Sequence, residues 1–128
     1  MSTIKENLFY TEDHEWVSVE DNIATIGVTD FAQSSLGDIV FVELPEQDTT
    51  YDSGDSFGVV ESIKSVSDLY TPLSGKVLEK NLEVEETPEK INENAFAAWL
   101  IKIEMSDKDQ LNELMDDKKY AEFCDENS

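Results

Sequence analysis

The residues best suited to chemistry surround Lys64, in the stretch VVESIKSVSDLYTPLSG (59–75). An apolar run ending in Val60 leads into a short polar segment that contains this lysine, and the chain returns at once through Leu69 and Tyr70 to a Pro/Gly turn. The pattern predicts a β-hairpin with the lysine at its tip. Because a lysine side chain is a long, flexible stem ending in one amine, this position suits the attachment of a covalent group.

The sequence around Lys64 contains nothing that would activate its amine as a nucleophile. Exposed lysine side chains are almost wholly protonated at neutral pH, so acylation would require a separate enzyme that recognises the hairpin. Residue types and spacing therefore leave two interpretations open, a modified lysine and an ordinary solvated one.

The chain offers little to an enzyme acting alone. His14 is the only histidine and Cys124 the only cysteine, and the two are far apart in sequence. There is no GxSxG, no Gly-rich phosphate loop and no CxxC, so neither nucleophilic catalysis nor a zinc or iron site is supported. We expect no catalytic residue and no metal ligand, and we expect a structural role for His14.

The composition excludes several kinds of partner. The 128 residues include 30 acidic residues, nine lysines and no arginine, which gives a formal net charge of −21. Such a surface repels phosphate backbones and anionic membranes, so we expect neither nucleic-acid nor membrane binding. Like-charge repulsion favours a monomer. The charge also fits an acidic interaction module that docks onto basic partners, in which Lys64 is unmodified.

The length fits one domain, residues 1–128, with a β-rich core over about residues 8–105 and helices over about residues 107–124. No apolar run approaches the roughly 18 residues of a membrane-spanning helix, and the N-terminus lacks a signal h-region. A single cysteine excludes an internal disulfide and suits a reducing compartment. We expect a cytoplasmic protein, or a mitochondrial matrix protein if the source is eukaryotic.

Strand patterns dominate the middle of the chain. EWVSVE and IATIGV are separated by an Asp21-Asn22 turn and predict an antiparallel pair. DIVFVEL is apolar at successive positions, which predicts a strand buried on both faces. Further strands are predicted after Gly54, after Gly75 and in AAWLIKIEM. Many short strands separated by turns predict a β-sandwich or a flattened barrel.

Helical patterns are short and peripheral. In TDFAQSSLG, Thr29 or Asp30 is suited to cap a short helix that ends at Gly37 in the left-handed conformation. Ser106 begins a pattern resembling a capping box, which predicts a helix over SDKDQLNELM. A last helix is predicted in DDKKYAEFC, with its aromatic side chains turned inward.

The stretch VVESIKSVSDLYTPLSGKV resembles the lipoyl-attachment segment of the glycine cleavage system H protein family. The resemblance extends to HEW, ATIGVTD, AQSSLGD and VFVELP in the N-terminal half and to WLIKIEMSD near the C-terminus. Biotin carriers centre their lysine in a Met-Lys-Met type of motif, and the lipoyl domains of 2-oxoacid dehydrogenases typically place Asp before the lysine and Ala after it. Ile63 and Ser65 differ from both patterns.

The resemblance implies a mainly β, barrel-sandwich hybrid fold of the lipoyl/biotinyl type, with a short internal helix and C-terminal helices. The Lys64 amine would carry lipoate in an amide linkage. A lipoate ligase or a lipoyl/octanoyl transferase would recognise Glu61, Ser62, Ile63 and Ser65. The protein would be a non-catalytic carrier in glycine catabolism that takes an aminomethyl group from glycine decarboxylase, a pyridoxal phosphate enzyme, to aminomethyltransferase. Electrons would then pass to dihydrolipoyl dehydrogenase.

A loaded lipoyl arm would gain protection by folding into a groove, since an aminomethyl thioether hydrolyses in water. By the resemblance, Glu15 would pair with the protonated amine of the loaded arm. The other groove-lining positions of the family correspond to Val28, Ser35 and Asp68. The alternative for Glu15 is a solvated carboxylate at the end of a strand.

The chain departs from the family pattern before its last strand, where INENAFAAW lacks the usual proline and has Ala98 in place of glycine. The departure concerns the conformation of one loop and leaves the predicted fold unchanged. A related alternative function is that of an H-like protein that relays lipoyl groups to other acceptor proteins.

Overall fold

The computed structural model describes residues 4–127, and across this range the chain forms two antiparallel sheets. The strands are β1 Phe9–Tyr10, β2 Glu15–Glu20, β3 Ile23–Val28, β4 Ile39–Glu43, β5 Thr50–Tyr51, β6 Ser56–Ser62, β7 Val66–Tyr70, β8 Gly75–Lys80 and β9 Ile101–Met105. The helices are α1 Asp30–Leu36, α2 Leu82–Glu86, α3 Lys90–Glu93, α4 Asp117–Asn127 and a 3-10 helix over Lys108–Glu113. The mainly β, barrel-sandwich fold predicted from the sequence is confirmed.

The larger sheet has six strands in the order β1-β2-β3-β9-β8-β5. β2 and β3 form the predicted hairpin, in which Trp16 lies opposite Gly27 and Val17 opposite Ile26. Asp21 in the connecting turn has a φ of 56°, a conformation that aspartate tolerates better than most residues. Because β9 pairs with both β3 and β8, strands from both halves of the chain share one sheet.

The smaller sheet has three strands in the order β4-β6-β7. A turn at Gly54 precedes β6, and its φ of 95° is one that glycine adopts readily. The inner face of this sheet carries Val42, Val60 and Leu69, which belong to the same apolar cluster as Ile26 of the larger sheet. One core therefore joins the inner faces of both sheets.

β4 contradicts the prediction that DIVFVEL is buried on both faces, because Val40 and Phe41 are 57% and 45% exposed. The pairing of β4 with β6 shifts by one residue between Ile39 and Phe41, which makes Val40 the extra residue of a β-bulge. A bulge sets two residues opposite one on the partner strand and re-aims their side chains. The prediction was wrong because the outer face of β4 is open to solvent, and the bulge turns both Val40 and Phe41 toward it.

β4 lies at the edge of its sheet, and side chains from the following helices meet backbone donors at both of its ends. Ile39 N–H donates to Asn92 Oδ1 at 2.8 Å, and Leu44 N–H donates to Glu85 Oε2 at 3.0 Å. The Asn92 amide also donates to Gly37 O at 2.9 Å. α3 therefore ties the end of α1 to the start of β4.

α1 begins and ends where the sequence predicted. Thr29 is its N-cap, and the Thr29 hydroxyl accepts a hydrogen bond from Ala32 N–H at 3.2 Å. Gly37 ends the helix with a φ of 83° and a ψ of −157°. The φ is positive as expected, but the ψ lies outside the left-handed helical region, so that part of the prediction was wrong.

The segment after β9 forms a 3-10 helix instead of the predicted α-helix, and its cap is Asp107 instead of Ser106. The Asp107 carboxylate accepts from Asp109 N–H at 3.0 Å, and a charged acceptor caps a free N–H more strongly than a hydroxyl does. α4 confirms the last predicted helix, with Tyr120 and Cys124 buried. None of the helices over residues 4–127 is long and apolar enough to cross a membrane.

Candidate functional site

Lys64 lies at the tip of the hairpin that β6 and β7 form. The two strands pair from Ser56 opposite Tyr70 up to Glu61 opposite Val66, and the chain bends back over residues 63–65. Lys64 is exposed. The hairpin predicted from the sequence, with this lysine at its tip, is therefore observed.

The Ser62 hydroxyl holds the tip together from inside. It accepts hydrogen bonds from Lys64 N–H at 3.3 Å and from Ser65 N–H at 3.1 Å. Ser62 N–H donates to Ser65 O at 2.8 Å, which closes the turn. Because Ser62 is 8% exposed, its contribution in the structure is to the shape of the tip, and its recognition by an enzyme stays a prediction.

The tip rests on the connection between α1 and β4. Ile63 N–H donates to Asp38 O at 3.0 Å. The stem of Lys64 lies beside Gly37, where an added Cβ would approach Lys64 Cε to 3.4 Å. The base of the lysine is thus supported by backbone from a distant part of the chain, while Ile63 and Lys64 are both exposed.

A cavity of about 200 Å³ lies between α1, β7 and the facing ends of β2 and β3. Its lining includes all four residues predicted for a groove, Glu15, Val28, Ser35 and Asp68. We call this space the α1–β7 cavity. It also has apolar walls, since Leu36 and Leu69 line it. The structure therefore brings these four residues, which are far apart in sequence, to one cavity, and their role in binding a loaded arm stays a prediction.

Glu15 is buried, with 2% of its surface exposed, so the alternative of a solvated carboxylate is wrong. Its Oε2 accepts from Tyr70 N–H at 2.9 Å, and its Oε1 accepts from the Thr11 hydroxyl at 3.3 Å. Burial raises the pKa of Glu15 from 4.5 to about 8, against the opposing effect of the bond from Tyr70. The carboxyl therefore exchanges its proton near neutral pH and is suited to meet a cation.

Asp68 stands apart from the other three groove residues. It is exposed, and β7 is an edge strand. In the register of the sheet it lies opposite Val59, which itself lies opposite Glu43. The Tyr70 hydroxyl donates to Asp68 Oδ2 at 3.5 Å. Asp68 therefore lies at the rim of the α1–β7 cavity, in contact with solvent.

A second cavity, of about 580 Å³, also borders Glu15. Its lining includes Thr11, Glu12 and Tyr70, together with Glu113 from the 3-10 helix. Sequence reasoning missed this cavity because its walls come from segments with no shared motif. Glu15 consequently lies between two spaces, of which one faces α1 and the other faces the C-terminal segment.

His14 is fixed by a tyrosine of α4 that sequence reasoning did not connect with the site. His14 Nδ1 and Thr29 Oγ1 each lie 2.7 Å from the Tyr120 hydroxyl. The His14 ring stacks on Phe31 of α1, with ring centroids 4.5 Å apart. Burial lowers the pKa of His14, so the ring is neutral at neutral pH. Only the inward aromatic pattern of the last helix pointed to Tyr120.

Across residues 4–127, no group of three or more His, Cys, Asp or Glu side chains is placed to hold a metal ion. Cys124 is buried on α4, away from solvent. The side chains around the hairpin tip therefore offer an exposed amine beside a partly apolar cavity, which suits a covalently attached, mainly apolar group.

Comparisons with known proteins agree on one family. The family model described as "Glycine cleavage H-protein" matches residues 8–127. The glycine cleavage system H protein of Alkaliphilus oremlandii is 58% identical over 118 residues, which cover 92% of this chain and 93% of that protein. The protein of the same name from Staphylococcus saprophyticus is 54% identical over 124 residues, covering 96% and 98% of the two chains.

A solved structure gives the same answer for the fold. The crystal structure of a glycine cleavage system H protein from Mycobacterium marinum superposes with a TM-score of 0.86 and 35% sequence identity. The match covers 97% of this chain and 98% of that chain. The two proteins therefore share the barrel-sandwich fold.

Proposed function

This chain belongs to the glycine cleavage H-protein family, the lipoyl carriers of the glycine cleavage system, and on that premise we propose that Lys64 is its lipoyl-attachment site. The observation that carries the proposal is the exposed Lys64 amine at a braced hairpin tip. A further support is the α1–β7 cavity, which Glu15 and Ser35 line. The protein is then a single-domain, non-catalytic carrier.

Attachment joins the Lys64 amine to the carboxyl carbon of lipoate. The carboxyl group arrives activated, for example as an acyl adenylate, and the deprotonated Nζ attacks its carbonyl carbon. The amide C–N bond forms, the bond to the activating group breaks with its electron pair, and the amine proton passes to solvent. Lys64 loses its positive charge in the process.

Lipoate would supply a dithiolane whose S–S bond opens as it takes up an aminomethyl group at glycine decarboxylase, and the dithiol left after transfer at aminomethyltransferase would be reoxidised by dihydrolipoyl dehydrogenase. The residues of this chain provide placement for that chemistry. The hairpin holds the attachment point in solvent, and the apolar side chains of Val28, Leu36 and Leu69 are suited to receive an alkyl chain.

Glu15 is suited to hold a protonated amine at the end of such an arm. Its carboxyl keeps a proton near neutral pH because burial raises its pKa to about 8. A cation entering the cavity would favour the ionised carboxylate, so the proton would leave as the amine arrives. Tyr70 N–H, at 2.9 Å from Oε2, would stabilise the resulting charge.

Membership of the family assigns the chain to the glycine cleavage system. We further propose that the protein is cytoplasmic. The one cysteine is buried and the sequence has no second cysteine for an internal disulfide, which suits a reducing compartment. The partners are then glycine decarboxylase, aminomethyltransferase, dihydrolipoyl dehydrogenase and an enzyme that attaches the lipoyl group.

The proposal is tested by intact mass after incubation with lipoate, ATP and a purified lipoate–protein ligase. We expect one lipoyl increment, carried by the peptide that contains Lys64. Lys64→Arg should abolish the increment, whereas the matched control Lys76→Arg, at another exposed lysine on β8, should retain it. An unmodified protein, or an increment on a different lysine, would contradict the assignment.

A further inference from the structure

Four large apolar side chains are exposed together at the hairpin end of the three-stranded sheet. Val40 and Phe41 on β4 are 57% and 45% exposed, and Ile63 and Val66 beside Lys64 are 70% and 66% exposed. We call these four residues the tip patch. Among the described residues, the other large apolar side chains of comparable exposure are Ile23, Tyr70 and Leu82.

The backbone builds the tip patch. Phe41 lies opposite Glu61, and Glu61 lies opposite Val66, so these three residues form one row across the outer face of the sheet. The bulge at Val40 adds a second apolar side chain from β4 to that face. Because Ile39 and Val42 are both buried, the bulge leaves the two residues between them, Val40 and Phe41, on the outer face, so the exposure of the patch follows from the register of the sheet.

Carboxylates interrupt and surround the tip patch. Glu61 lies between Phe41 and Val66, and the next row of the sheet contains Glu43, Val59 and Asp68. Lys64 is the only basic residue in the sequence over residues 38–43 and 56–70. A complementary surface would therefore be an apolar strip bordered by lysine and arginine side chains.

A second copy of the chain does not meet this requirement. Two tip patches placed face to face would bring the carboxylates of Glu43 and Glu61 against the same groups of the partner. At a net charge of −21 for each chain, such a contact would be opposed by like-charge repulsion over the whole molecule as well. The occupant is therefore a different, basic protein.

We propose that the tip patch is the docking surface for the enzyme that acylates Lys64, an inference that rests on the proposed function. A lysine stem reaches about 6 Å from its backbone, so an enzyme that forms a bond to Nζ must cover the neighbouring residues of the hairpin. Enzymes that act on the far end of an attached lipoyl group work many bonds further out. The acylating enzyme is thus the partner obliged to touch Ile63 and Val66.

Binding gives the first test, because it requires no reaction. The Lys64→Arg protein, which cannot be acylated, is titrated with a purified lipoate–protein ligase in a calorimeter. Adding Val40→Ser and Phe41→Ser should weaken binding about tenfold, since loss of apolar anchors dominates affinity. The matched control Ile23→Ser, which removes an apolar side chain 39% exposed on the other sheet, should change the dissociation constant by less than about twofold.

Reaction rates give the second test, with the native lysine present. The double variant should lower kcat/KM for lipoyl attachment about tenfold, mainly through KM. After full lipoylation, its reduction by dihydrolipoyl dehydrogenase should stay within about twofold of the unsubstituted protein. Ile63→Ser provides a second variant whose folding is secure, because this side chain is 70% exposed at the bend, and it should reproduce the loss.

The outcomes separate this inference from the proposed function. Unchanged binding and attachment in the variants would overturn the tip patch as a docking surface while leaving Lys64 as the attachment site. An equal loss with the dehydrogenase would assign the patch to partners in general and overturn its assignment to the acylating enzyme. If the unsubstituted protein is never lipoylated, the proposed function fails as well.

Discussion

The Glu15 carboxyl is the residue whose surroundings most depart from those of an ordinary acidic side chain. It is 2% exposed, and its two oxygens accept from Tyr70 N–H and from the Thr11 hydroxyl. Burial holds its pKa at about 8 in the folded protein, compared with 4.5 for the free side chain. The folded state therefore binds this proton more tightly than the unfolded state does.

Glu15→Gln should change how stability depends on pH. Between about pH 5 and about pH 8 the folded state carries the extra proton, so the free energy of unfolding falls as pH rises through this window. Glutamine keeps an acceptor for Tyr70 N–H but does not titrate. The stability of the variant, relative to that of the unsubstituted protein, should therefore increase as the pH rises. The gain should reach about 3 kcal/mol at about pH 8, measured by urea unfolding at several pH values.

Glu12→Gln is the matched control for this measurement, because Glu12 is an exposed acidic residue in the loop that leads into β2. Glu12→Gln removes one formal negative charge from the folded and the unfolded protein alike, so it reports any general effect of net charge, whereas Glu15→Gln in this range removes a charge only from the unfolded state. Stability curves that run parallel for Glu15→Gln and the unsubstituted protein would show that the buried carboxyl does not bind a proton in this range.

The sequence predicts the position of Lys64 better than the environment of Glu15. A hairpin tip follows from residues that are close together, since an apolar run, a polar apex and an apolar return lie between Val59 and Tyr70. The burial of Glu15 depends on a backbone donor 55 residues away. No pattern in the sequence contains that contact, so the raised pKa could be found only from the fold.

Among the elements, α4 contacts two residues that shape the α1–β7 cavity. The Tyr120 hydroxyl lies 2.7 Å from both His14 Nδ1 and Thr29 Oγ1. Thr29 caps α1, which contributes Ser35 to the cavity, and His14 lines the same cavity. One hydroxyl on the C-terminal helix therefore positions two walls of the cavity.

Tyr120→Phe should loosen both walls while preserving the packing of the ring. Its stacking on Tyr10, at a centroid distance of 4.5 Å, does not require the hydroxyl. Buried groups left without a partner should lower the free energy of unfolding by about 1–3 kcal/mol. The ¹⁵N shifts of His14 should also change, because Nδ1 loses its hydrogen-bond partner at 2.7 Å.

The control for this element is Tyr70→Phe, which removes a hydroxyl from an exposed tyrosine whose partner is Asp68 at 3.5 Å. We expect it to change stability by less than about 0.5 kcal/mol and to leave the His14 spectrum unaltered. Unchanged His14 shifts in the Tyr120→Phe protein would contradict a role for this hydroxyl in positioning the cavity walls. Tyr120 would then contribute only packing.

Element boundaries were predictable where local chemistry decides them and unpredictable where pairing does. Thr29 as a cap and the β2–β3 hairpin follow from neighbouring residues. The bulge at Val40 is a property of the β4–β6 register, so the apolar run in DIVFVEL gave no sign of it. The tip patch, which depends on that bulge, could not be read from the sequence.

At the scale of the whole molecule, charge opposes folding. The chain has 30 acidic residues against nine lysines, so most carboxylates cannot pair with a lysine; Lys76, Lys80 and Lys90 are among the lysines that form ion pairs. Most carboxylates therefore repel one another across the surface. Composition alone predicted this property, because net charge does not depend on how the chain folds.

Salt should stabilise the protein. At about 0.5 M NaCl the screening length is a few ångströms, which removes most of the repulsion between exposed carboxylates. We expect the free energy of unfolding to rise by about 1 kcal/mol, which is a Tm higher by about 4 °C for a chain of this size. The measurement is thermal unfolding at pH 7 over a series of NaCl concentrations.

The same series at about pH 4 is its control, because many carboxylates are then protonated and the salt effect should shrink. A Tm that falls with salt at pH 7 would mean that the few ion pairs outweigh the general repulsion. The strand patterns of the sequence also indicated a mainly β chain, but its division into two sheets, with β9 pairing with both β3 and β8, depends on contacts between distant segments.

The side chains that meet the ends of β4 bear on how the protein behaves in a crowded solution. Asn92 and Glu85 already accept hydrogen bonds from the backbone N–H groups of Ile39 and Leu44. A strand from another molecule would have to displace these side chains before it could pair with this edge of the sheet. Two ordinary polar residues thereby make the β4 edge of this densely charged protein a poor template for fibril growth.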